Sequence, residues 1–271
     1  MIKLINLAEE MKFKNPMLAI VNNKLRELNF EVEPTDEVKF LSISNPDGYR
    51  TYSRTLKFIF IKACKELYPN HKVVIEHALC GGLYCEIEKP HDISKIILKM
   101  NEIVKNDLLI NKIVIGKDEA VKLFNERGMK EKAELLEYKE KPRVKLYECE
   151  GFIEHFYGHM LPSTGYVQTF GIRAYKNGMI LLGPDKKNIR KIAEFKDQAK
   201  LASIYREFED WSNVLGIENV VDLNKVIEDG KYGNMIRTIE VMQEKKLAHI
   251  ADMIKEQKKK KLECMKLVRK M

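Results

Sequence analysis

The sequence predicts an α+β fold, and three observations carry that prediction. Short apolar runs separated by turn residues alternate with amphipathic helical stretches over the first two thirds of the chain. Gly81-Gly82 and Asn177-Gly178 each sit between β-rich runs, as hairpin turns do. From Lys191 onward the apolar spacing is helical throughout.

Taken in order, residues 3–12 read as a helix. LAIV, LREL and VKFLSI read as short strands, broken by Asn22-Asn23 and by Pro46-Asp47-Gly48. A helix then begins near Tyr52 and Ser53, keeps helical spacing through Leu56, Ile59, Phe60, Ala63, Cys64 and Leu67, and is closed by Pro69. VVIEHAL and LYCEI flank Gly81-Gly82 as a hairpin. Asp92 caps a helix whose stripe is Ile93, Ile96, Ile97, Met100, Ile103 and Val104. NKIVIG is a strand, and Asp118 to Arg127 a helix stopped by Gly128. VKLYE, GFIEHF, YVQTFGIRAY and MILLG read as strands. KLASIYREFEDWSNVLG is a helix ending at Gly216, Leu223 to Asp229 a short one, and Asn234 to about Glu256 a long one. The long helix carries Ile236, Ile239, Met242, Leu247, Ile250 and Ile254, a stripe suited either to packing on the body or to an interaction.

The 271 residues are 45% hydrophobic and 32% charged, enough for real cores in a soluble protein. No apolar run approaches the roughly 20 residues of a membrane span. Glu9 and Glu10 interrupt the N-terminus where a secretory leader needs apolar residues. The expectation is a cytoplasmic protein with no membrane partner. Five scattered cysteines (Cys64, Cys80, Cys85, Cys149, Cys264) lack Cys-x-x-Cys spacing and read as buried reduced thiols, although Cys80 and Cys85 could face each other across the hairpin. The net charge of +8 sits mainly beyond residue 230, where twelve Lys/Arg face five Asp/Glu. The run Lys258, Lys259, Lys260, Lys261 is expected to be solvated or disordered unless an acidic partner such as RNA holds it.

The candidate site residues each have a functional and an ordinary reading. His77 and Glu86, on the two arms of one hairpin with Tyr84, form an acid–base couple if residues 79 and 84 pair, or a solvated cross-strand pair. Arg54 and Lys57 on the first long helix can bind a phosphate or carboxylate, or simply face water. His155 and His159 have four-residue spacing, yet on a strand and turn that spacing does not put both on one face, so ordinary loop residues are the alternative to a metal site. Pro162-Ser163-Thr164-Gly165 can aim backbone N–H groups at an anion, or be a plain turn. No metal site is expected.

YSRTLKFIFIKACKELYPNHKVVIEHALCGGLYCEI and KIVIGKDEAVKLFNERGMKEKAELLE, with FYGHMLPSTGY downstream, resemble the second additional (editing) domain of threonyl-tRNA synthetase. The region before them resembles its ubiquitin-like TGS domain. The segments VNNKLREL, PDGYRTYSRTL, EHALCGGLYCEI, YGHMLPSTGY, FEDWSNVLGIENVVDLNKVIEDG and EKKLAHIAD also resemble, in order, a bacterial family of uridine (nucleoside) kinase-like proteins. That family joins TGS and synthetase-like domains to a C-terminal P-loop kinase.

These resemblances imply a TGS-like unit at 1–49, truncated at its N-terminus, an editing-domain-like α+β region at 50–184, and a helical connector with a basic tail at 185–271. Editing synthetases carry His-x-x-x-His on the first helix and Cys-x-x-x-His after the later strands. The matching positions here are Arg54 and Phe58, then Phe156 and Met160, so the resemblance implies the fold without the editing chemistry. No Gly-x-x-x-x-Gly-Lys-Ser/Thr occurs, so ATP and Mg are expected only with a kinase domain missing from this chain. The function expected is therefore a non-catalytic accessory region of a nucleoside kinase-like protein, binding a small nucleotide, RNA or the kinase domain itself. The alternatives are the kinase activity of the full-length family and, despite the missing motif residues, editing hydrolysis of mischarged tRNA. Oligomeric state is left open.

Overall fold

The computed structural model describes residues 1–88 and 91–268, with side chains through Lys261. The Cys264 side chain and residues 269–271 of the basic tail lie outside the described residues. The architecture is α+β, as expected.

The chain opens with β1 (Ile2–Lys3), α1 (Leu4–Glu10), β2 (Leu18–Val21), β3 (Lys24–Arg26), β4 (Glu31–Val32) and β5 (Val38–Leu41). β2 is the centre of an antiparallel sheet ordered β3-β2-β5, and β1 pairs with β4. Asn22 and Asn23 both take left-handed backbone, φ 48° and 62°, which fits a two-residue hairpin whose twist matches its strands. Leu4 and Ala8 of α1 close over Ala19, Val21, Leu28, Val32 and Phe40 to form a separate small core.

α2 (Pro46–Leu67) starts six residues before the expected Tyr52. Pro46-Asp47-Gly48 is its first turn and not a break: Asn45 caps it by accepting from Asp47 N, and proline at the first helical position loses no needed hydrogen bond. Gly48 is required by space, since a Cβ there would lie 2.1 Å from the Ser42 carbonyl oxygen. β6 (Val73–Leu79) and β7 (Gly82–Ile87) follow, then α3 (Ile93–Lys105), capped by Asp92 as expected. Together with β11 (Gly171–Tyr175) and β12 (Gly178–Leu182), the hairpin forms an antiparallel sheet ordered β11-β12-β7-β6. The main core lies between this sheet and the helices α2 and α3. Tyr52, Leu56, Ile59, Phe60 and Ala63 there meet Ile96, Met100, Cys85, Met179 and Leu181.

β8 (Asn111–Gly116), α4 (Lys117–Glu126), α5 (Lys130–Glu137), β9 (Arg143–Cys149) and β10 (Phe152–Glu154) form a second unit with a sheet ordered β10-β9-β8. Phe124, Ala133, Val144 and Leu146 are its core. Phe58 of α2 packs into the sheet's other side with Ile110, Tyr147, Cys149 and Met160. Two expected strands are shorter than their apolar runs. β10 stops at Glu154. YVQTFGIRAY is extended only from Gly171, after a short 3-10 turn at Thr164–Tyr166. The Tyr52 hydroxyl explains the second shortening: it donates to Thr169 O at 2.9 Å and accepts from Thr169 N at 3.0 Å, doing the work of a ladder partner.

α6 (Ala199–Leu215), α7 (Val220–Glu228) and α8 (Tyr232–Val268) complete the chain. Gly216 ends α6 at φ 66°, and Asn219 with Asp222 forms a capping box for α7. Lys258 to Lys261 are exposed and helical, the solvated one of the two expected states. Successive helical side chains fan out around the axis, so four lysines in a row do not share one face, and each reaches water. Among the described residues no helix is long and apolar enough to cross a membrane.

Candidate functional site

The positions that match the editing motif converge. Phe58 on α2 and Phe156, just past β10, have ring centroids 6.2 Å apart, and Met160 is buried in the same cluster as Phe58. Arg54, one turn before Phe58, lies against Gly158 and donates weakly to the His159 carbonyl at 3.5 Å. Gly158, at φ 104°, accommodates the guanidinium, since a Cβ would sit 2.5 Å from Arg54 Cζ. Two phenylalanines and a methionine thus pack as an apolar cluster at these positions. None of the four side chains is a general base at neutral pH, or an imidazole, thiolate or carboxylate ligand for a metal.

The polar rim of this cluster is organised by Glu27, which the sequence reading had left within a strand. Glu27 Oε1 accepts from the Tyr147 hydroxyl at 2.6 Å and from Met160 N at 3.1 Å, and Oε2 meets Lys112 Nζ at 2.5 Å. His159 Nδ1 lies 3.6 Å away, and the Tyr147 hydroxyl also reaches Gly158 O at 2.6 Å. Burial opposes ionisation of Glu27, but the contacts from His159, Lys112 and Tyr147 outweigh it and hold the carboxyl at about 2. Burial, reinforced by the Glu27 charge, pushes the Tyr147 phenol up, so it remains a donor. No local sequence signal marks these residues, because the contacts of Glu27 with Tyr147 and Met160 span more than a hundred positions.

Arg54 and Lys57 are half-buried neighbours on α2. Burial lowers the pKa of each, and for Lys57 the adjacent Arg54 charge adds to the effect. Among the described residues neither has a carboxylate within ion-pair distance, whereas Lys62, Lys72, Lys99, Lys112 and Lys132 all do. Two partly desolvated cations without a counter-charge make an anion-binding arrangement.

The other candidates separate from this region. A bulge between Ile75 and Ala78 places Val74, not His77, opposite Glu86, because Leu79 pairs with Gly82 and the turn falls on Cys80-Gly81. The expected His77–Glu86 couple is therefore not a cross-strand pair. His77 instead stacks on Tyr205 of α6, centroids 3.7 Å apart, and Tyr84 donates a short hydrogen bond to Glu86. Burial lowers the His77 pKa. With Glu76 and Glu209 these residues line a cavity of about 140 Å³ between the sheet and α6. Its three carboxylates lie within 4.8 Å of one another, and burial followed by their mutual repulsion raises the pKa of Glu76 and Glu209.

Ser163 and Thr164 do belong to a turn that aims donors at an anion, but the anion is Asp107 of the same chain. The Ser163 hydroxyl and Gly165 N both donate to Asp107 Oδ1, the latter at 2.9 Å. The buried Thr164 hydroxyl donates to Ile103 O and accepts from Leu108 N. His155 lies edge-on to Tyr157, with its pKa lowered by burial and by Lys139, while His159 faces Glu27. Among the described residues, neither belongs to a group of three potential metal donors. Cys80 and Cys85 are buried free thiols in different apolar clusters, as are Cys64 and Cys149 in theirs, so the expected reduced thiols are found without a pairing across the hairpin.

Fold and cluster together define an α+β protein with the frame of an aminoacyl-tRNA editing domain. Comparison with known proteins points to the synthetases themselves. The chain is 30% identical over 163 residues to the threonine–tRNA ligase of Carboxydothermus hydrogenoformans, covering 58% of this chain and 26% of that protein. It is 28% identical over 208 residues to that of Syntrophotalea carbinolica, covering 69% and 33%. It is 32% identical over 153 residues to that of Caldanaerobacter subterraneus subsp. tengcongensis, covering 54% and 24%. The chain thus spans about a quarter to a third of the length of the curated relatives it matches. No protein-family model matches it.

These relatives support a threonyl-tRNA synthetase-like region, consistent with a TGS-like unit followed by an editing-like α+β arrangement. They overturn the expectation of an accessory region of a uridine or nucleoside kinase-like protein.

Proposed function

We propose that this chain is a synthetase-related RNA-recognition region in which the α2 cleft holds a phosphate of a tRNA acceptor end without hydrolysing an ester there. The observation that carries the proposal is the pair Arg54 and Lys57, half-buried and lacking a carboxylate partner among the described residues, with Arg54 lying against Gly158 beside the apolar cluster of Phe58, Phe156 and Met160. The similarity to threonine–tRNA ligases supports tRNA as the class of ligand. Guanidinium and ammonium groups supply donors to phosphate oxygens, and their partial burial strengthens that interaction relative to open water. The apolar cluster leaves no general base or metal ligand where the editing chemistry would need one.

Fluorescence anisotropy with an uncharged tRNA tests the proposal. Binding is expected to weaken with rising salt, and Arg54→Glu with Lys57→Glu should weaken it at least about tenfold, whereas a Lys258-to-Lys261 glutamine variant should leave the cleft contribution intact. Mischarged tRNA should lose its amino acid no faster with the protein than without it. Unchanged affinity in the Arg54/Lys57 variant would remove the cleft as the contact. Enzymatic deacylation would restore the editing reading instead.

A further inference from the structure

α8 is anchored on α6 only along its first half. There Lys246 Nζ pairs with Glu207 at 2.5 Å and lies 5.9 Å from the Trp211 ring, and Met235, Ile239 and Met242 are half-buried. From Leu247 to Lys261 every residue is exposed. A helix of this length standing alone in water is marginal. This one nevertheless carries Leu247 (59% exposed), Ile250, Met253 and Ile254 (51% exposed) at the three- and four-residue spacing that makes a single stripe.

We propose that this stripe is covered by the α8 helix of a second copy of the chain, packed antiparallel about a two-fold axis beside Ile250. Reversal leaves the stripe nearly unchanged: Leu247 of one copy falls opposite Ile254 of the other, with the two Ile250 side chains at the centre, as an isologous interface requires. The charges favour the same arrangement. In that register Lys261 falls opposite Glu240, and Lys258 lies within a turn of Glu240 and Glu244, all exposed residues bordering the stripe. A parallel pair would set the two tracts Lys258–Lys261 side by side, like charge against like. An anionic membrane or a nucleic acid would satisfy the lysines but would press Glu240 and Glu244 against charges of their own sign. A second copy satisfies both groups at once.

Sedimentation equilibrium of the full chain over a concentration series tests this. The expected result is a monomer–dimer equilibrium. Leu247→Glu with Ile254→Glu should shift it at least about tenfold toward monomer while the circular dichroism of the body is retained, since both side chains are exposed. Lys258→Glu with Lys261→Glu should weaken the dimer at low salt, and adding Glu240→Lys with Glu244→Lys should restore it, because every facing pair is then reversed. A chain monomeric at all concentrations, or a dimer indifferent to Leu247→Glu/Ile254→Glu, overturns the proposal. So does a monomer whose α8 is captured by anionic vesicles or RNA. Failure of the fourfold charge reversal to restore association overturns the antiparallel register.

Discussion

At Glu27 a single carboxylate accepts from a tyrosine hydroxyl and a backbone N–H while pairing with a lysine. Removing its charge leaves Lys112 and Met160 N with a weaker acceptor, so Glu27→Gln should cost about 1–3 kcal/mol, measured by urea unfolding at pH 7. The pH dependence follows from the depressed folded value. The group contributes its full stability above the ordinary carboxylate value of 4.5 and loses it as pH falls toward about 2. The wild type should therefore lose stability across that window more steeply than Glu27→Gln, as read from unfolding midpoints at successive pH values. Residue type and helix position could name Arg54 and Lys57, and the resemblance to an editing domain could name the gaps at Phe58, Phe156 and Met160, because these positions follow from one helix and one loop. Neither could name Glu27, Tyr147 or Lys112, whose roles depend on contacts between distant segments.

Among the elements, helices were legible where apolar periodicity and a cap agreed, as at Asp92 and Gly216, whereas α7 begins at Val220, three residues before the expected Leu223, behind its Asn219 cap. α2 was legible in its body but not at its start, since Pro-Asp-Gly suits a turn as well as a first helical turn, and the choice rests on Asn45 and on the close approach of Ser42 to Gly48. Two substitutions separate these causes. Asn45→Ala removes only the cap and should cost about 1 kcal/mol in thermal or urea unfolding. Gly48→Ala forces backbone to move away from Ser42 and should cost more than the cap does. The β6–β7 hairpin was legible as a hairpin, but its bulge was not. The turn at Cys80-Gly81 already takes His77 out of line with Glu86, and the bulge shifts the register by one more residue, to Val74, while His77 stacks on α6.

At the scale of the whole molecule, the α+β class followed from the alternation of short runs and helices, whereas the way the units lean on one another did not. The separate cores around Ala19 and Val144 show that each unit can exclude water for itself. Apolar contacts of Phe58, Met17 and Ile43 join them to the main core, and Glu27 links the amino-terminal unit to Tyr147 of the second, none of which local patterns reveal. The α6–α8 region is the opposite case. Its stripe was legible in the sequence, but packing on the body was one of two open readings, and the structure leaves the stripe exposed beyond Lys246.

Glu27 also bears on how the chain can be divided. It directly follows β3 of the small amino-terminal sheet, yet its partners Tyr147 and Met160 lie 120 and 133 positions away. A fragment spanning residues 50–184 would lose Met17 and Ile43 from the main core, the first turn of α2 with its Asn45 cap, and the Glu27 acceptor of Lys112, and such a fragment should melt several degrees below the intact chain in a calorimetric scan. Because that tie closes one of the longest loops in the protein, it can form only after both units have taken shape. The cleft would then be the last part of the molecule to assemble and the first to loosen, so limited proteolysis or hydrogen exchange should find the 156–160 loop opening before either core.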